Sequence, residues 1–168
     1  MSTPDTALSG CARAASSREA AYRIDAPIAP ARAARIVALD ERAAGVARRV
    51  AELPWSNAHF FVCEGVARGD DSTEGLLLRG LDGLPAVLDQ ELDRADVVVM
   101  IATEDSGASG ASSIGRACWQ RGVQTAGLVL GDGYESDAAV AALRPHARVL
   151  LPWADEGDVV DLLTALRA

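Results

Sequence analysis

The stretch ADVVVMIAT (95–103) constrains this chain more than any other. Its apolar run shows no polar alternation and is too short for a helix of ordinary length. Such a run reads as a strand buried on both faces, and a strand buried on both faces needs helices packed on either side. The rest of the sequence supplies them. RIVAL (35–39), HFFVCE (59–64), TAGLVLG (125–131) and RVLLPW (148–153) read as further strands, with GLLLRG (75–80) as a weak one. Between them, ERAAGVARRVAEL (41–53), LPAVLDQELDRA (84–95), SSIGRACWQRG (112–122) and SDAAVAALRPHA (136–147) carry helical spacing, and DEGDVVDLLTALRA (155–168) closes the chain as an amphipathic helix. Strand–helix alternation of this kind predicts an α/β domain: a three-layer Rossmann-like fold with a mainly parallel sheet and helices on both faces. Ligands of such folds bind beyond the carboxyl ends of the strands.

Residues 1–30 stand apart. They are rich in Ala and Ser, and RIDAPIAPAR (23–32) carries two prolines. We read them as a flexible N-terminal tail and linker, with a single ligand-binding domain over 31–168.

Composition excludes several chemistries. All sixteen basic residues are Arg. A chain without Lys forms no lysine Schiff base and has no P-loop lysine. The net charge of −8 speaks against nucleic acid and anionic membranes as partners. No apolar run approaches the roughly 20 residues of a membrane span, and the first residues lack the apolar core of a signal peptide. A cytoplasmic location is the expectation. Cys11, Cys63 and Cys118 are widely spaced, and only His59 and His146 could join them, so no metal site is predicted. A homo-oligomer is allowed but has no sequence signature.

The segment EDSGASGASSIG (104–115) joins the strongest strand to a helix. Its small residues let backbone N–H groups approach a ligand, and the following helix adds a partial positive charge. Asp105, Ser106, Gly107, Ala108, Ser109, Gly110, Ser112 and Ser113 form the candidate binding loop, with the serine hydroxyls as added donors. The alternative is a tight strand–helix turn in which Ser112 only caps the helix. Arg116 is near enough to that predicted helix start to reach an anion, and Trp119 reads as packing.

From the Ala-Asp-led strand through the glycine-bearing loop, the helix ending in Gly122 and the next apolar strand, residues 95–131 resemble the central stretch of the tubulin/FtsZ GTPase domain. RIVALDERAAGVARRV resembles that family's first strand, glycine loop and helix. LRPHARVLLPWADEGDVVDLL resembles its later strand and following helix. The resemblance covers about residues 35–168 as an order of elements and does not extend to the family's long central helix or second domain. It implies nucleotide binding at 105–113, with Mg2+ as companion. The candidate loop keeps only Gly107 and Gly110 of the family's glycines, and Asp40-Glu41 stands where phosphates would approach. The implied site is a reduced or altered one. The serine-rich loop is also similar to that of sugar-phosphate isomerase (SIS) domains, which implies a sugar phosphate in the same place.

Most predicted strands end at an acid: Asp40 and Glu41, Glu64, Glu104 and Asp105, Asp132, then Asp155 and Glu156. In a parallel sheet these carboxylates form a rim at the ligand edge. The rim would accept a phosphate carried with a divalent cation. Its alternative use is helix capping. No complete nucleophile and base set is visible. The sequence thus predicts a small-molecule-binding domain for a nucleotide or other phosphate-bearing ligand, acting as sensor, carrier or regulatory subunit. The alternatives are an enzyme using strand-end carboxylates on a sugar phosphate or nucleotide, and a ligand-free protein interaction module.

Overall fold

In the computed structural model, the strand of residues 97–102 lies near the middle of a seven-stranded sheet. The structure describes residues 30–66, 76–131 and 136–168. In chain order the strands are β1 (Ala34–Ala38), β2 (Ala58–Val66), β3 (Leu76–Gly80), β4 (Pro85–Val87), β5 (Val97–Ala102), β6 (Gln124–Leu130) and β7 (Val149–Ala154). The helices are α1 (Glu41–Ala51), α2 (Leu88–Leu92), α3 (Ala108–Arg121), α4 (Asp137–Leu143) and α5 (Glu156–Leu166). Spatial order is β4-β3-β2-β1-β5-β6-β7. The five strands from β2 to β7 in this order are parallel, and β3 and β4 add an antiparallel edge. Residues 31–168 form one compact unit.

The central strands are buried on both faces because two cores flank them. Ile36, Ala38, Val97, Val99, Ile101 and Leu128 face α1 and α5. Val37, Val98, Met100, Ala102 and Val129 face α2, α3 and α4. The alternation follows the two-residue period of a strand. Each large side chain so buried contributes roughly 1.5–3 kcal/mol. The inner face of α1 is Ala43, Ala44, Ala47 and Val50, small residues that bring the helix close to the sheet. Arg49 of α1 holds Glu156 of α5 with a bidentate contact, its shortest distance 2.6 Å. That hydrogen bond keeps the Glu156 carboxyl below its ordinary range. On the opposite face of the sheet, the buried Arg35 Nε donates to Glu91 Oε2 at 2.8 Å and so anchors α2 to β1.

Four sequence expectations need correction. The segment 84–95 is not one helix. Pro85–Val87 pairs antiparallel with β3, and only Leu88–Leu92 is helical, so Leu84 and Val87 are exposed. The hairpin turns at Asp82-Gly83: Gly83 has φ +86, and the Leu84 amide donates to Asp82 Oδ1 at 3.0 Å. The first helix stops at Ala51, which leaves Leu53 exposed. The fourth helix stops at Leu143, before Pro145. The third begins at Ala108, four residues earlier than its pattern predicts.

Both outer strands carry a proline, Pro85 in β4 and Pro152 in β7. Beside Pro152 the β6–β7 register shifts, so that Leu128 faces Leu151 but Leu130 faces Ala154. Among the described residues, no helix is long and apolar enough to cross a membrane. Residues 1–29 of the predicted tail and the segment 132–135 lie outside the described residues.

Candidate functional site

In a doubly wound sheet the natural ligand position is where the strand order reverses and successive helices pass to opposite faces. Here α1, following β1, packs on one face, while α3, following β5, packs on the other. β1 and β5 are parallel neighbours, so the chain leaves their carboxyl ends toward opposite faces, which makes this the switch point of the sheet. The predicted loop is therefore at the right edge of the sheet. Its detailed form differs from the expectation.

Asp40 occupies the switch point. Its carboxylate accepts from the Ala43 amide at 2.8 Å, capping α1. It also accepts from the Thr103 amide and the Thr103 hydroxyl, both at 2.6 Å, and from the Glu104 amide at 3.1 Å. One side chain thus joins the turn after β1 to the turn after β5. It is 8% exposed, which a carboxylate tolerates when its oxygens are so fully engaged.

The candidate loop is a short 3-10 turn, Asp105–Gly107, running directly into α3. Both of its glycines serve close packing. A Cβ at Gly107 would stand 2.5 Å from Leu39 Cβ, and one at Gly110 would stand 2.9 Å from Cys63 Sγ. Both glycines are buried, and burial raises the pKa of the Cys63 thiol. Ala108 is half-buried as the first residue of α3. Ser106 in the turn and Ser109 in the first helical turn are exposed, while Ser112 and Ser113 are half-buried.

Ser112 does not cap α3; the N-cap position is Gly107, with no side-chain hydrogen bond. Ser109, Ser113, Arg116 and Gln120 recur at helical spacing along one face, so most of the predicted loop hydroxyls belong to the side of a helix. Ser113, Arg116, Gln120 and Arg121 line a shallow groove between α2 and α3. Arg116 is the ninth residue of α3, about 12 Å from the helix start, which is too far to serve an anion there.

The rim carboxylates are engaged one by one. Asp105 Oδ1 accepts from the Ala139 amide at 3.0 Å and so caps α4, where Ser136 makes no side-chain cap. Asp155 and Asp158 form a capping box at α5. Glu41 pairs with Arg48 at 3.1 Å and Glu64 with Arg79. Glu104 is the loosest, 3.9 Å from Arg42. Asp132 lies outside the described residues. Among the described residues, no group of three or more His, Cys, Asp or Glu side chains is placed to hold a metal ion. The capping use accounts for Asp40, Asp105 and Asp155.

His59 begins β2 and His146 precedes β7, so both lie at the amino-terminal edge, away from the switch point. Trp119 is not packed: it is 79% exposed. No protein-family model matches the chain, and no curated protein matches it.

Proposed function

We propose that this domain binds a small phosphate-bearing molecule, a nucleotide among the candidates, at the switch point between β1 and β5. It would act as a sensor, carrier or regulatory subunit. The supporting observation is a contrast among helix starts at this edge. The amino termini of α1, α4 and α5 each receive a carboxylate, from Asp40, Asp105 and Asp155. The amino terminus of α3 receives none among the described residues; it opens at Gly107, with Ser106 and Ser109 exposed beside it. The Ala108 amide is given to the Asp105 carbonyl in the turn that leads into α3, and the partial positive charge of this 14-residue helix is left for an anion. Of the acids nearby, Asp40 and Asp105 are held by amide donors and so repel an arriving phosphate less than free carboxylates would, while Glu104 is only loosely paired with Arg42. Mg2+ would enter with the ligand.

A melting screen tests this reading, using phosphate, ATP, GTP and sugar phosphates, each with and without Mg2+. At least one should raise the melting temperature. Ser109→Asp should abolish that rise while leaving the fold sound, because an acid in the first turn of α3 favours the helix and repels the anion. A rise that survives Ser109→Asp assigns the ligand to another site. Turnover of a ligand that binds would favour the enzyme reading, with Glu104 as the least engaged carboxylate. Asp40 favours a second reading, an interaction module without ligand, because its side chain already occupies the switch point. No rise with any of these ligands supports that one.

A further inference from the structure

The amino-terminal edge of the sheet carries a feature of opposite character. Between α4 and β7 the chain reads Arg144-Pro145-His146-Ala147-Arg148, a basic segment in a chain of net charge −8. Arg35, Arg42, Arg48, Arg49, Arg79 and Arg121 are all ion-paired. The side chains of Arg144 and Arg148, like those of Arg94 and Arg116, have no partner among the described residues. His146 lies against the backbone of α3 at Gly115, where a Cβ would come within 2.4 Å of its ring. Gly115 is thus the residue that lets the imidazole settle onto the helix. One turn further along α3 stands the exposed indole of Trp119. Trp119, Val123, Thr125, His146 and Arg148 line a cleft of about 300 Å3, the lower end of the size range of small-molecule sites.

We propose that this cleft binds a flat aromatic small molecule bearing a carboxylate or phosphate. The Trp119 indole supplies a face for the ring. Arg148 supplies a guanidinium whose fork matches either anion. His146 supplies a ring nitrogen to the same group. The carboxyl-terminal ends of α3 and α4 also reach this edge, and the Arg144 and Arg148 guanidiniums complement their partial negative charge. That structural use affects stability and gives no preference among ligands, so binding measurements separate the two.

The test is a titration of the full chain, labelled with 15N, with 1-naphthoate, 1-naphthyl phosphate, inorganic phosphate and the neutral 1-naphthalenemethanol. The two aromatic anions should shift the Trp119 indole and Thr125 amide signals, with dissociation constants at roughly millimolar or below. Naphthoate against naphthyl phosphate distinguishes the two anion sources. Arg148→Gln should weaken binding by about tenfold. Trp119→Ala should remove it without loss of fold, since the indole is exposed, and Trp119→Phe should keep part of it. Equal binding of the neutral alcohol, indifference to Arg148→Gln, or no shift at these residues would overturn the proposal. Phosphate binding alone, at the amino terminus of α3, would also overturn it and would favour the switch-point site instead.

Discussion

Asp40 and Thr103 are 63 residues apart in sequence and joined twice in space, through the Thr103 amide and hydroxyl, each 2.6 Å from the Asp40 carboxylate. The same carboxylate caps α1, so its removal costs more than a cap. Asp40→Ala should destabilise the domain by about 2–4 kcal/mol, about 1 from the cap and the remainder from donors left without an acceptor. Thr103→Val, which deletes one donor, should cost about 1 kcal/mol. Urea melts of the two single variants and the double variant check this. The double should be less unstable than the sum of the singles, and strict additivity would show that the pair is not coupled.

Gly110 gives a second prediction. An added methyl group meets Cys63 Sγ at 2.9 Å, so Gly110→Ala should destabilise by about 1–3 kcal/mol. Cys63→Ala removes the obstructing sulfur and should recover much of that loss in the double variant. Gly107→Ala has no such remedy, because its methyl group meets Leu39 Cβ at 2.5 Å and the Leu39 carbonyl at 3.0 Å. Thermal melts of the three variants and the double decide it. An equally unstable double variant would mean that Gly110 is required for another reason.

Cys118 predicts how stability changes with alkali. Burial pushes its thiol up to about 12. An acid whose folded value is raised leaves stability unaffected below its unfolded value, near 9, and loses it as the unfolded chain ionises first. The wild-type domain should therefore lose stability relative to Cys118→Ala as pH rises from about 9 toward 12. Urea midpoints of both proteins, read across that range, should converge. Parallel curves would show that the thiol does not titrate differently on unfolding. Below pH 9 the folded Cys118 should also resist alkylation.

The parts legible in the sequence were those governed by burial along a single element. Val97–Ala102 is apolar on both faces, and that alone implies helices on either side of a parallel sheet. Asp155 and Asp40 stand where local rules put caps. What escaped depends on contacts between distant segments. Pro85–Val87 fits a helical period as well as a strand, and its pairing with β3 decides the matter. The start of α3 is hidden by Ser and Gly, which form helices weakly; Gly107 and Gly110 are tolerated there because Leu39 and Cys63 press against them. Nothing local announces that Asp40 would meet Thr103, since only the order of the strands makes them neighbours. Trp119 fits an inward helical face as well as an outward one, and the inner face that α3 adopts, Gly110, Ala111, Ile114, Gly115 and Cys118, leaves it outside.

The two outer strands restrict how copies of this domain can associate. A second chain docking edge-to-edge would have to continue the backbone ladder past Pro85 on one side, or past Pro152 and its register shift on the other. Each proline removes an amide, and the shift breaks the spacing that a neighbouring strand would need. Growth of the sheet into fibres or swapped strands past these two edges is thereby discouraged.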